Sequence, residues 1–134
     1  DVIYYGYGPY ESYSDKHRAS WVDRFDTTVD DMFEDYVFPQ ENGSHYNCQY
    51  ASVGNLFAKG KKPFSFQASR YSEKELDEKA HNFELVPSDG IYVALDYKQS
   101  GIGSNSCGPR LAEKYQIREE KIEWEISIRF DNKN

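Results

Sequence analysis

The side chains able to carry chemistry in this chain are carboxylates, histidines and two thiols, and their spacing limits what each can do. Glu11, Asp15 and Glu41 lie in turn-rich stretches. A pair of carboxylates facing across a sugar would serve acid–base glycoside hydrolysis. In loops of this composition a carboxylate more often accepts backbone N–H bonds and holds the loop's shape, and that structural role is the one expected here. The run Asp26, Asp30, Asp31, Glu34 and Asp35 lacks the ligand spacing and central glycine of a calcium loop, so it reads as a solvated acidic edge and no metal site is expected. His17, His45 and His81 have no paired spacing, and no G-x-S-x-G elbow nominates a nucleophile. Gly6-x-Gly8 and Gly101-x-Gly103 lack the third glycine of a dinucleotide fingerprint and run into Pro9 and Pro109. Cys48 and Cys107 form no C-x-x-C motif; two free thiols are the expected state, with a single disulfide between them left open by the sequence.

What must position these groups is a small, acidic, aromatic-rich unit. The chain has 134 residues, with 16 basic against 23 acidic side chains and a net charge of −7. That length allows one structural unit, 1–134, and the charge argues against a nucleic-acid partner, because an acidic surface releases no counterions from phosphate. An aromatic share of 16% argues against disorder. No apolar run reaches the ~20 residues of a membrane helix, and no signal peptide is visible. The first residue is Asp1 rather than Met, so an excised or processed chain is expected.

The elements read as mostly β. Ile122, Trp124, Ile126, Ile128 and Phe130 alternate with polar neighbours, which predicts a strand over Ile122–Phe130 with one buried and one wet face. Ile91–Tyr97 repeats the pattern; Phe64, Phe66 and Ala68 make a shorter run, as do Phe83 and Leu85. Further strands are expected at Val2–Tyr5, within Trp21–Val29, and around Tyr46–Val53. Ser72-Glu-Lys-Glu75 is a capping box that opens one short helix near 72–80, with Glu75 and Lys79 as an i,i+4 pair.

Four segments carry a resemblance. Tyr5-Gly-Tyr-Gly-Pro-Tyr-Glu-Ser-Tyr-Ser-Asp15 resembles the G-x-G-P-x-E-(N/S)-Y-x-D loop of large bacterial β-galactosidases of glycoside hydrolase family two. Tyr36-Val-Phe-Pro-Gln-Glu-Asn-Gly43 is similar to that family's Y-x-x-P-x-E-N-G segment, and Phe64-Ser-Phe-Gln-Ala-Ser-Arg-Tyr-Ser72 to its F-x-F-x-x-S-x-Y-(S/T) strand. Gly101-Ile-Gly-Ser-Asn-Ser-Cys107 resembles its G-(I/V)-G-x-(D/N)-S-(W/C) loop. The matches run in the family's order over almost the whole chain.

The resemblance implies the C-terminal part of an antiparallel β-supersandwich of the galactose-mutarotase type, incomplete in itself. It implies a fragment or small subunit of an enzyme that hydrolyses terminal β-D-galactosides such as lactose. The catalytic glutamates belong to a barrel outside this chain, so no catalytic residue, no metal and no cofactor is expected here; magnesium and sodium would be held by other domains. The implied partners are the rest of the β-galactosidase chain or a large subunit, and the galactoside in the intact enzyme. The implied location is cytoplasmic, with self-association of an isolated fragment. Cys107 stands where well-studied members place a sugar-contacting tryptophan, so Cys107, Asn105 and Ser106 are the candidates for the active-site rim. Glu11, Asp15, Glu41 and Asn42 match family loop residues expected to be structural. An independent carbohydrate-binding β-sandwich is the alternative, and a free-standing mutarotase-like enzyme would need a histidine and a carboxylate converging in one cleft.

Overall fold

A computed structural model describes residues 1–99 and 112–132. Six antiparallel strands form one sheet: β1 (Val2–Gly8), β2 (Trp21–Thr27), β3 (His45–Val53), β4 (Leu56–Ser69), β5 (Tyr92–Asp96) and β6 (Ile126–Phe130). Among the described residues the fold is all-β, with one short helix, α1 (Glu73–Glu78), and two single 3₁₀ turns at Asn82–Glu84 and Glu113–Tyr115. The strand order is β2-β1-β3-β4-β5, with β6 also on β4. β4 serves both: Leu56–Gly60 pairs with β6, and Ser65–Ser69 pairs with β5.

A double irregularity makes that sharing possible. Cys48 pairs with Phe64, but Tyr50 pairs with Lys59, so Gln49 alone faces residues 60–63 of β4. A second shift separates His45 from Cys48, and Asn47 inside it has φ 56°. Extra residues of this kind bend a strand and re-aim its side chains. Pro63 fits the excursion because it has no N–H to offer a ladder. Gly60 fits it because a Cβ there would stand 2.2 Å from the Lys62 carbonyl oxygen.

The alternating pattern sends Val2 and Tyr4 of β1, Cys48, Ala51 and Val53 of β3, and Phe64, Phe66 and Ala68 of β4 into one core. Registered neighbours share that face: Tyr4 lies opposite both Phe25 and Ala51, and Phe66 opposite both His45 and Leu95. Val29 and Met32, from the connection after β2, lie over the sheet and close the core. Each large apolar side chain fully buried this way contributes roughly 1.5–3 kcal/mol.

Most predicted elements stand where the pattern put them, with three corrections. Phe83 and Leu85 are not a strand: Asn82–Glu84 is a 3₁₀ turn, and Phe83 is 81% exposed. Two alternating apolar residues are too few to tell a strand from a turn. The strand predicted over Ile122–Phe130 is regular only from Ile126, because Gly60 is the last β4 residue in register with it. The helix cap forms by halves. Ser72 Oγ accepts from the Glu75 amide at 3.1 Å, but the Glu75 carboxylate accepts from the Val86 amide at 2.8 Å instead of returning to Ser72. Glu75 does pair with Lys79, at 3.9 Å.

Candidate functional site

Two connections meet above one end of the sheet, residues 9–20 between β1 and β2 and residues 34–44 before β3. The first is folded by a tight turn, in which Tyr13 and Lys16 exchange backbone hydrogen bonds of 2.8 and 3.1 Å with Asp15 inside the turn. This places the Lys16 ammonium 2.6 Å from the carboxylate of buried Glu11. The same carboxylate accepts the Tyr36 hydroxyl and, at 3.0 Å, the Gly43 amide. Glu11 therefore joins both connections through three donors. Burial pushes its carboxyl pKa up, but the bonds from Lys16, Tyr36 and Gly43 outweigh burial and hold it below the usual carboxylate range.

The second connection depends on Asn42, which is buried. Its Oδ1 accepts the Glu34 amide at 2.8 Å, its Nδ2 donates to the Gln40 carbonyl at 2.9 Å, and its own carbonyl accepts from Gln67 on β4. Gly43 follows with φ 72°, where a Cβ would meet the Met32 carbonyl oxygen at 2.3 Å. Only glycine combines that left-handed backbone with that approach. Ser12 locks the pair: its amide donates to Ser44 O at 2.7 Å, and its Oγ accepts the Tyr46 amide at 2.9 Å.

Glu41 lies at the outer edge of this network and accepts from Gln99, whose own side-chain oxygen accepts the Ser44 hydroxyl at 2.9 Å. Partial burial, opposed by the Gln99 bond, with the charges of Asp96 and Glu73 adding to it, raises the Glu41 carboxyl pKa. Gln99 had no motif to announce it, although it directly precedes the segment that carries three predicted rim residues. Cys107, Asn105 and Ser106 themselves lie outside the described residues. Glu11, Asn42 and Glu41 are brought together by these two connections; Asp15 lies in the turn beside them.

The histidines stay apart. His45 is buried against Tyr4, with ring centroids 4.3 Å apart, and its Nδ1 lies 3.0 Å from the Tyr7 carbonyl oxygen. Burial lowers its pKa to about 4, so the ring is neutral and Nδ1 is the donor. His17 lies against Tyr7 and Tyr46, with Nδ1 2.9 Å from Tyr13 O, and His81 is exposed beside Glu84. His17 shares a hollow of about 180 Å³ with Glu11 and Glu34. In that hollow Glu11 is already taken by three donors. Cys48 is a free, buried thiol whose pKa burial pushes up to about 12. Among the described residues no group of three or more His, Cys, Asp and Glu side chains is arranged to hold a metal ion, and no helix is long and apolar enough to cross a membrane.

An all-β sheet whose end loops are tied by buried carboxylate and amide groups is the class of unit defined here. The sequence matches the family model described as β-galactosidase small chain over residues 1–130, and the chain belongs to that family. It is 50% identical over 130 residues to a β-galactosidase of Actinobacillus pleuropneumoniae, covering 97% of this chain and 12% of that protein. It is 42% identical over 133 residues to a β-galactosidase of Staphylococcus xylosus, covering 96% of this chain and 13% of the relative. A β-galactosidase of Vibrio cholerae is 33% identical over 129 residues. The chain spans about an eighth of the length of the relatives it matches.

Proposed function

We propose that this chain is the C-terminal supersandwich part of a β-galactosidase that hydrolyses terminal β-D-galactosides such as lactose. It shapes the rim of the active site and the assembly without catalysing hydrolysis itself. The observation that carries this reading is a 50% identity running through 97% of this chain but only 12% of the relative. The remaining length of such an enzyme supplies the catalytic glutamates and the magnesium and sodium sites, and is the partner this chain serves. Cytoplasmic location follows from the same reading.

Glu11, Asn42 and Glu41 act as loop supports. Glu11 holds the two connections together, Asn42 holds the second in shape, and Glu41 with Ser44 holds Gln99 at the base of the segment bearing Asn105, Ser106 and Cys107. Rim contact with sugar then falls to that segment, with a thiol offering less stacking surface than an indole. Exposed Val37, Phe38, Phe83, Ile128 and Phe130 are surface for the rest of the enzyme, and in isolation they favour self-association. The alternative, an independent sugar-binding module, needs a free aromatic platform. Tyr5, Tyr50 and Phe57 form a row with centroids 6.0 Å apart, but their faces are directed at one another and Arg129 covers Phe57 at 4.9 Å.

The test is complementation. The purified chain alone is expected to leave an o-nitrophenyl β-galactoside unhydrolysed, and mixing it with the missing N-terminal part is expected to restore turnover. Robust hydrolysis by the uncontaminated chain alone would overturn the reading.

A further inference from the structure

The irregular pairing of β3 with β4 opens a groove of about 490 Å³ beside the loop network, within the size range of small-molecule sites. Its composition is unlike that of the chain as a whole. Acidic side chains outnumber basic ones 23 to 16 overall, yet among the described residues no carboxylate lines the groove, and Lys62, Lys98 and Lys114 do. Lys98 is paired with Glu119, whereas Lys62 and Lys114 make no ion pair among the described residues. The Lys114 ammonium lies 4.7 Å from the Tyr115 ring centre, a contact that leaves its charge unneutralised, so two ammonium groups without a carboxylate partner focus a positive potential at one concavity.

Two further observations concern hydrogen bonding. Asn47 lines the groove with a φ of 56°, a left-handed backbone inside a strand, and its exposed amide makes no hydrogen bond among the described residues. Strained non-glycine backbone of this kind is concentrated at binding sites, where the bulge aims a side chain that a regular ladder would place elsewhere. Ser14 also lines the groove, and its hydroxyl is buried without a partner among the described residues. A buried hydroxyl left unpaired is destabilising, and a ligand able to hydrogen-bond it would recover that cost. Tyr46, Tyr97 and Tyr115 also line it, each with one ring face engaged, by Tyr7, by the Lys98 ammonium at 5.5 Å and by the Lys114 ammonium at 4.7 Å respectively.

We propose that this groove binds an anionic sugar unit, a hexose carrying a carboxylate or a phosphate. The tyrosine faces not already engaged meet its ring carbons, Asn47 and Ser14 meet its hydroxyls, and Lys62 and Lys114 meet its charge. The sugar component rests on the β-galactosidase reading above; the anionic component rests on the groove alone.

The experiment is calorimetric titration of the intact β-galactosidase that carries this chain, with digalacturonic acid, glucose 6-phosphate, neutral maltose and inorganic phosphate. At least one anionic sugar is expected to bind about tenfold or more tighter than maltose and tighter than inorganic phosphate. Digalacturonic acid reports a carboxylate and glucose 6-phosphate a phosphate. The Lys62→Gln/Lys114→Gln double variant is expected to weaken that binding about five- to tenfold, and raised salt to weaken it in the wild type. Asn47→Gly, which keeps the left-handed backbone and loses the amide, is expected to weaken it as well. Anionic sugars binding no tighter than maltose, an unchanged double variant of native thermal melt, or inorganic phosphate binding as tightly as the sugars would each overturn the proposal. Galactoside hydrolysis measured on the same preparation separates the two readings: its absence overturns the β-galactosidase assignment, whereas the isotherms decide the groove.

Discussion

Replacing Glu11 with alanine removes a side chain that ties both connections together. Three donors lose their acceptor. Gly43 N–H is buried with its residue, so leaving it unpaired costs about 1–3 kcal/mol. The Tyr36 hydroxyl is partly exposed and turns to water, for about 1 kcal/mol. Lys16 is half-exposed, so most of its charge is rehydrated and its share is small. The sum is about 2–4 kcal/mol, spent locally, because the three donors Lys16, Tyr36 and Gly43 all lie in the two connections. Local opening of residues 9–20 and 34–44 then becomes more frequent by between about thirty and several hundred fold. Hydrogen exchange in the intact protein reads this directly, at the amides of Ser12, Glu34, Gly43 and Tyr46. Glu11→Gln keeps one acceptor oxygen and should give an intermediate rate. Unchanged exchange in both connections, or equal acceleration throughout β1 and β3, would refute the idea that Glu11 acts as a local tie.

Acid should weaken the fold in two steps. His45 stays neutral with a pKa lowered to about 4, so the unfolded chain binds a proton first and stability falls by about 3 kcal/mol as pH drops from about 6.5 to about 4. His45→Gln should flatten that part of the pH profile. Glu11, held below its ordinary range, contributes stability that is complete above the unfolded carboxyl value and is lost as pH falls through the lowered one, so Glu11→Gln should flatten the more acidic part. Gly43→Ala, with φ 72° and the Met32 carbonyl 2.3 Å from the new Cβ, should cost at least about 2 kcal/mol and speed exchange across residues 34–44. The Cys48 thiol should resist alkylation in native protein and react only after denaturant is added; rapid native labelling would contradict its burial.

Local rules were legible in the residues and cooperative ones were not. Alternation located β5 and the second half of β4, because a half-buried strand needs a side-chain period of two whatever its neighbours are, and β1, β2 and β3 lie within a few residues of the ranges expected for them. Ser72 announced its helix because the cap bond spans three residues. The first half of β4 escaped notice. Leu56–Lys62 is rich in lysine and glycine, and it becomes strand by pairing with β3 and β6, which no local pattern states. Phe83 and Leu85 misled for the converse reason, since a two-residue alternation has no ladder to enforce it.

The same boundary runs through the candidate site. Glu11, Asp15, Glu41 and Asn42 could be picked out by residue type and turn context, because carboxylates and amides among glycine and proline are what loops require. Which donors they meet was decided only by the tertiary structure: Gly43 lies 32 positions from Glu11, and Gln99 58 positions from Glu41. The groove belongs entirely to that second kind. Tyr46 and Asn47, Lys62, Lys98 and Lys114 come from four separate stretches that meet at one concavity, where β3 and β4 are mismatched by one residue against four. Sequence by itself determined the family, the strand periodicity and the residues fit to hold loops. Tertiary structure alone decided which of them touch, because hydrogen bonding and charge act through distances that chain order does not set.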